Sequence, residues 1–564
     1  MDLNLAYWIQ DLCYQAKAKQ LLNSSEPTNW KQVLKLDNKD QWISAIFSEF
    51  QQLIQAGVFY FIPLQEIPTG RRLLKSRLVL RVKKDQQNNP IKFKARLVAK
   101  GFMQIEGLDY LETFATTSIP PTWRILLALA AQNNWYVEQI DFIGAFLNSE
   151  LPEVNYLEIP EGLEAFISLN KTNNLAKLLA KLGYNPAVKQ GILLKKALYG
   201  LKQGPREWQE ALAKLLQQYG YSPLVSDPAI YYNSTTSTYI VSHVDDCLLI
   251  GPNLTYINKL KQQLHKVYPI EDRGQAAFFL GVQISRTTKG ITLSQKGYIE
   301  EALSRFGLKE AKAVAIPLQP GVLKQATATP LTPLSATDQL VYQQIVGTLM
   351  YLMLLTRPDI AFAIQWLSRY MHQATSLQLS AGKNLLRYLK GTTDLAICYW
   401  SKSTTPNLSG YSDSDFAGDL DSSKSTYGYL FTLAGGPICW KSKRASTIAL
   451  STVEAESDAL LEAIRELKWL DGLFTEIDKG LKKPIPLLCD NNGSISNANN
   501  PNQHNRTKHT LLKFRYIRQE ATNGLAKISY LNTKSMPADG LTKALTADLF
   551  QRYLGLLGLQ GIPI

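Results

Sequence analysis

Tyr239-Ile240-Val241-Ser242-His243-Val244-Asp245-Asp246-Cys247-Leu248-Leu249-Ile250-Gly251 is the stretch that decides the fold. Two apolar runs rich in β-branched residues flank adjacent carboxylates, so the spacing predicts strand, tight turn, strand, with Asp245 and Asp246 at the tip. Acids held near apolar surface are costly unless a cation neutralises them. Hard divalent cations take oxygen ligands, and Mg²⁺ commonly uses one or two carboxylates plus substrate phosphates. Taken alone, the pair reads equally well as a solvated hairpin tip. Upstream, Trp135-Tyr136-Val137-Glu138-Gln139-Ile140-Asp141 predicts a strand ending in an acid, followed by the compact turn Phe142-Ile143-Gly144-Ala145-Phe146-Leu147. Asp141 set beside the tip would complete a three-carboxylate site able to hold two metals for in-line phosphoryl displacement.

Working outward, 564 residues exceed one core and predict several domains. No apolar run is long enough to span a bilayer, and Met1-Asp2-Leu3-Asn4-Leu5 lacks the basic and apolar regions of a secretion signal. Cys13, Cys247, Cys398, Cys439 and Cys489 show no C-x-x-C spacing, which argues for free thiols in a reducing compartment and against a zinc site. Lysine and arginine outnumber the acids 61 to 47, and the net charge of +14 favours a polyanionic partner. In the second of two strand-like runs, Leu73 to Val82 and Ile91 to Val98, the cations Lys94, Arg96 and Lys100 alternate onto one face. Such a face would grip a triphosphate or simply keep an edge strand soluble.

Five segments carry a family resemblance: Lys94-Ala95-Arg96-Leu97-Val98-Ala99-Lys100-Gly101-Phe102, Tyr110 to Ala115, Lys195-Lys196-Ala197-Leu198-Tyr199-Gly200-Leu201-Lys202-Gln203-Gly204-Pro205-Arg206-Glu207-Trp208, Tyr342 to Leu352 and Thr356 to Ala361. With the aspartates, they make the chain resemble, over nearly all its length, the reverse transcriptase and ribonuclease H region of a Ty1/copia-type LTR-retrotransposon polyprotein. The resemblance implies a right-hand polymerase of α+β and α/β parts, with fingers, palm and thumb, then a helical connection and a mixed-sheet ribonuclease H domain. It implies that Asp141, Asp245 and Asp246 hold the polymerase metals, with Asp246 the more supportive of the pair. Phe146 would lie under the sugar and exclude a 2′-hydroxyl, where plain core packing is the competing reading. Gln203 would contact the nucleotide or template base, and Gly281, in Phe278 to Ile284, would let backbone near the primer 3′ end. His243 departs from the family, whose members usually carry an aromatic there, and this bears on contacts to the template-primer.

The last 160 or so residues carry a second acidic pattern. Strands are predicted over Gly410 to Gly418, Tyr427 to Leu433, Ile438 to Ser442, Leu487 to Asp490 and Ala526 to Leu531. A helix opens at the capping box Ser451-Thr452-Val453-Glu454, and Asp539 begins a C-terminal helix. This order matches the ribonuclease H fold, and Asp413, Glu456, Asp490 and Asp539 match its four-carboxylate centre. Singly, each acid reads as a cap or a solvated charge. The basic run from His504-Asn505-Arg506-Thr507-Lys508-His509 resembles the family's nucleic-acid-facing segment, with Arg506 and Lys508 as contacts.

The expected divisions are 1–26 as leader or linker, 27–290 as fingers and palm, 291–402 as thumb and helical connection, and 403–564 as the ribonuclease H domain. Glu161 to Gly191 is expected to be a surface insertion and Pro317 to Pro333 a linker. The resemblance implies two Mg²⁺ per site, with Mn²⁺ as a substitute. It also implies RNA template, DNA primer, RNA–DNA hybrid and dNTPs as partners, a tRNA-type primer, no membrane, and compatibility with a homodimer. The expected setting is cytoplasmic virus-like particles, with products passing to the nucleus. No protease or integrase signature is visible, so one segment of a larger polyprotein is expected. The competing class is a domesticated, catalytically silent nucleic-acid-binding protein that keeps the fold.

Overall fold

The computed structural model describes residues 26–84, 90–170, 172–328, 332–402, 408–477, 480–499 and 508–562. Nearly all of the expected leader, and Arg506 with His504, lie outside the described residues. The fold is mixed α/β and multidomain, with sheets of four, six, five, five and two strands.

The N-terminal unit packs helix α1 (Lys39–Gln55) against a long hairpin of β1 (Ser76–Lys84) and β2 (Pro90–Ala99). On α1, Trp42, Ile46, Phe50, Leu53 and Ile54 recur at helical spacing and are buried. Glu49 shares that buried face because its carboxylate accepts the Leu97 amide of β2 at 2.9 Å. The expected insertion is no loop: helices Leu163–Leu169 and Asn173–Lys181 bury Leu163, Phe166 and Leu179 in the core of this unit. Side chains that supply apolar burial are paid back as core rather than surface, roughly 1.5–3 kcal/mol for each full aliphatic or aromatic burial.

Helix α2 (Pro120–Asn133) then feeds β3 (Tyr136–Phe142), and helix α3 (Gly204–Gln218) precedes the hairpin of β4 (Thr238–His243) and β5 (Asp246–Gly251). Helix α4 (Leu254–Val267) leads to β6 (Ile270–Gln275). In the six-stranded sheet, β3 lies between β6 and β5, with antiparallel pairing on both sides. Its two faces enter different cores. Val137, Tyr239, Val241, Leu248 and Ile250 join one, while Ile140, Phe142, Ile240, Cys247 and Leu249 join the other with Trp208 and Leu212. Burial on both faces explains why the decisive strands read as continuous apolar runs.

Residues 291–402 are mostly helical, as expected, but a strand stands at each end. Strand β7 (Gly290–Ser294) and β8 (Leu395–Trp400) pair, with helix α5 (Ala336–Leu355) between them in sequence. The expected linker contains helix Pro320–Ala328, begun by a proline that suits a first helical turn.

The C-terminal unit comprises β9 (Ser409–Asp415), β10 (Thr426–Leu433), β11 (Gly436–Arg444), helix α6 (Thr452–Glu476), β12 (Ile485–Cys489), helix α7 (Lys508–Thr522) and β13 (Ala526–Tyr530). Counting from β9, the sheet order is 3-2-1-4-5, antiparallel across the first three strands and parallel for β9–β12–β13. The predicted C-terminal helix is displaced: Asp539–Leu541 is a single 3₁₀ turn, and the α-helix runs Ala547–Leu556. The last strand, β14 (Leu559–Gly561), leaves this unit to pair with β8.

The units share a core. Every residue of α2 from Pro121 to Ala131 is buried. Its Arg124 donates to the carbonyls of Leu354 at 2.7 Å, Leu355 at 2.9 Å and Ile438 at 2.8 Å, and lies 4.0 Å from the Trp440 ring centroid. Glu476 at the end of α6 accepts the amides of Val225 and Ser226. The expected boundaries at 290 and 402 therefore cut through one sheet and one core, because α2, mostly apolar, is buried on every side.

Candidate metal centres

The first centre is built by strand register. Asp246 opens β5 directly opposite Asp141 on β3, while Val244 and Asp245 form the turn. The Phe142 amide donates to the Asp245 carbonyl at 2.7 Å, which ties the tip to the end of β3. Val244 holds φ at +58°, a region costly for a β-branched residue. Its carbonyl accepts the Trp208 indole N–H at 2.7 Å, so α3 fixes the strained turn. Gln139, one side-chain repeat before Asp141 on the same face of β3, donates to Asp246 Oδ1 at 2.8 Å.

Burial lifts the Asp246 carboxyl to about 6, against the Gln139 hydrogen bond and Arg273. Burial also raises Asp141; Arg273 opposes the rise, and Asp245 and Glu271 add to it. Carboxyls gathered and desolvated in this way are raised even with Arg273 beside them, a charge deficit that divalent cations would fill, so the donor set fits hard metals. His243 faces Asp246 across the hairpin, and burial takes its imidazole down to about 4, leaving it neutral at physiological pH.

The predicted substrate contacts divide. Lys94 and Arg96 share one face of β2, the Lys94 charge reaches Asp141, and Arg96 stacks over the Tyr199 ring at 4.8 Å. Tyr199 in turn meets the half-buried Phe146 edge-on at 5.2 Å. Gly200, at φ +89°, lets this segment cross β2 where any side chain would strike the Ala99 carbonyl. Gln203, expected to contact the nucleotide or template base, lies inside the chain. It is fully buried, its amide nitrogen donates to the Asp109 carbonyl at 2.9 Å, and its oxygen accepts from Gln104 at 3.0 Å. It supports the loop beneath the centre, and its amide is taken up by these internal partners. Gly281 is exposed, at φ +73°, and the space a Cβ would take is filled by the Tyr351 hydroxyl of α5. The close approach that its glycine permits comes from the chain itself.

The second centre gathers the late acids. Asp413 on β9 and Glu456 on α6 are buried, Asp490 follows β12, and Asp539 opens the 3₁₀ turn. Burial first, then the Asp490 and Asp539 charges, raise Asp413, whose Oδ2 accepts the Thr542 hydroxyl at 2.5 Å. Burial, then Asp413 and Asp490, push Glu456 well up. Glu456, Cys489 and Asp490 offer ligand atoms within 4.8 Å of one another. Lys543 pairs with Asp539 at 2.6 Å. The Ser451 hydroxyl caps α6 as expected, but Glu454 reaches one residue further back, to the Leu450 amide at 2.8 Å. Basic residues that follow the run on α7 are spent internally: Lys513 pairs with Asp458 at 2.6 Å and Arg518 donates to the Asn497 carbonyl. Lys508 opens α7.

Sequence reasoning missed Gln139, Trp208 as an anchor, and Arg273. Trp208 closes the longest quoted motif, and Gln139 is two residues before Asp141, so both lay in stretches already singled out. Arg273 had no comparable signal.

The model of a family described as reverse transcriptase (RNA-dependent DNA polymerase) matches residues 61–193 and 185–320. The chain is 36% identical over 543 residues to the retrovirus-related Pol polyprotein from transposon TNT 1-94 of Nicotiana tabacum, covering 95% of this chain and 39% of that protein. It is 30% identical over 332 residues to a transposon Ty5-1 protein of Saccharomyces cerevisiae, covering 58% of this chain and 100% of that protein. A solved foamy viral protease-reverse transcriptase in complex with dsDNA aligns with 87% of this chain and 83% of that one, at TM-score 0.46 and 14% identity. The chain thus spans well under half the length of the tobacco polyprotein. It belongs to the Ty1/copia-type retrotransposon reverse transcriptase family.

Proposed function

We propose that the chain is an RNA- and DNA-templated DNA polymerase joined to a nuclease that cleaves RNA in RNA–DNA hybrids, together copying retrotransposon RNA into DNA. The observation that carries this reading is the register that sets Asp141 opposite Asp246 and beside Asp245. Asp141, Asp245 and Asp246 would hold two Mg²⁺ ions, with Asp246 oriented by Gln139. When bound, such ions neutralise charge building on the transferred phosphoryl group and assist the attacking primer 3′-hydroxyl. Lys94 and Arg96 supply cations on the face of β2 turned to the carboxylates, suited to the triphosphate of an incoming dNTP. Phe146, braced by Tyr199, presents a ring edge that would exclude a 2′-hydroxyl. In the second centre Asp413, Glu456, Asp490 and Asp539 would hold the metals, and Lys543 keeps Asp539 placed. A tRNA-type primer and assembly in virus-like particles belong to the same proposal.

Primer extension on an RNA template tests it. The parent should extend, chelator should stop it, and Asp245→Asn with Asp246→Asn should cost about a thousandfold, the scale of several kcal/mol of transition-state stabilisation. Undiminished extension by that variant would refute the polymerase site. Undiminished RNA cleavage by Glu456→Gln on a labelled hybrid would refute the nuclease site.

A further inference from the structure

Arg273 lies on β6 at a break in the pairing with β3. Glu271 faces Asp141 and Asp272 faces Ile140, but the next paired residue is Gly274, opposite Gln139, so Arg273 is the extra residue of a bulge. Gly274 takes φ +66°, and the Asp272 carboxylate clamps the bulge by accepting the Gly274 amide at 2.9 Å and Lys261 Nζ at 2.7 Å. Bulges beside active sites re-aim a side chain. This one aims a guanidinium at Asp141: Arg273 Nη2 stands 2.8 Å from Asp141 Oδ2 and 3.9 Å from Glu271 Oε2.

A guanidinium stays charged throughout the working pH range, so proton loss cannot release Asp141. A hard cation that binds Asp141 needs a carboxylate oxygen at about 2.0–2.1 Å. Arg273 occupies only Oδ2, but a guanidinium and a divalent cation on one carboxylate repel each other, so metal and Arg273 oppose each other at Asp141, and a displaced guanidinium needs another anion. Exposed Glu271 offers one carboxylate, and a triphosphate offers the bidentate geometry that guanidinium prefers. Resting on the polymerase reading above, we propose that Arg273 is a positioning residue that holds Asp141 until nucleotide arrives, then passes to the triphosphate, so that metal and nucleotide bind cooperatively.

The test uses the full chain carrying Glu456→Gln and Asp413→Asn, which disables the nuclease centre. Free Mn²⁺ is read by electron paramagnetic resonance during titration without nucleotide. Arg273→Gln should bind Mn²⁺ about fivefold more tightly than its parent. Arg273→Lys, which keeps the charge, should stay near the parent. In primer extension at saturating metal, both variants should raise the KM for dNTP about tenfold, the scale of a lost charge-assisted hydrogen bond, with kcat changed less. Equal or weaker Mn²⁺ binding by Arg273→Gln, or an unchanged KM, overturns the proposal. Asp141→Asn separates this from failure of the polymerase reading. If it abolishes Mn²⁺ binding while Arg273→Gln changes nothing, only the Arg273 role falls; if it leaves Mn²⁺ binding intact, the metal-site reading falls too.

Discussion

Asp246 shows what the residue scale adds. An unfolded aspartate titrates near about 3.9, whereas burial brings this one to about 6 in the fold. Between those values the folded chain binds the extra proton, so the stability tied to that proton is present below about pH 4 and lost as pH rises through about 6. In chelator at about pH 8, Asp246→Asn should therefore be more stable than the parent by about 2 kcal/mol, and the advantage should vanish near about pH 4. Urea unfolding at both pH values checks this, and a variant equally or less stable at the higher pH would contradict it. Gly281 gives a second prediction. Gly281→Ala adds a side chain at φ +73° and against the Tyr351 hydroxyl. It should cost about 1–3 kcal/mol, and Tyr351→Phe should restore part of that by removing the clashing oxygen. No recovery in the double variant would contradict the contact. The acids of both centres were legible as residue types in or beside predicted strands and helices. Their partners were not, because Gln139 and Arg273 reach Asp246 and Asp141 through cross-strand register and a bulge, which one-dimensional spacing does not display.

Among the elements, the aspartate hairpin was the most legible, since paired apolar strands around a two-residue turn announce themselves. What holds the turn was not visible: the Trp208 indole that binds the Val244 carbonyl arrives from a helix whose own pattern says only that one face is buried. Trp208→Phe keeps the ring and removes the donor. Stability should fall by about 1 kcal/mol, and extension should fall more steeply, about tenfold, as the tip loses its fixed geometry. Equal extension by that variant would show that the hydrogen bond does not position the tip. The helices over 163–181 and 320–328 were hidden for a different reason. They are short, and interspersed Asn, Thr, Gly and Pro give them the composition of loops, while their packing against elements distant in sequence is a tertiary effect.

At the scale of the molecule, the sequence suggested separate beads, but α2 joins them. An apolar helix looks the same whether one or several partners cover it, so the shared core was illegible until Arg124 was seen binding carbonyls of both α5 and β11. Burial lowers that guanidinium to about 10, and Tyr399, Cys439 and Glu466 offset the fall only in part. Arg124→Ala leaves three carbonyls short of a donor and a cavity beside Trp440. It should cost about 3–5 kcal/mol and split calorimetric unfolding into more transitions than the parent shows; an unchanged profile would contradict a common core. The central claim is that two acidic constellations, one at the hairpin and one in the C-terminal sheet, are metal centres. Crystals soaked in Mn²⁺ and measured at its absorption edge test that most directly. Anomalous peaks are expected among Asp141, Asp245 and Asp246 and among Asp413, Glu456, Asp490 and Asp539, and saturating Mn²⁺ that leaves both groups bare would contradict it.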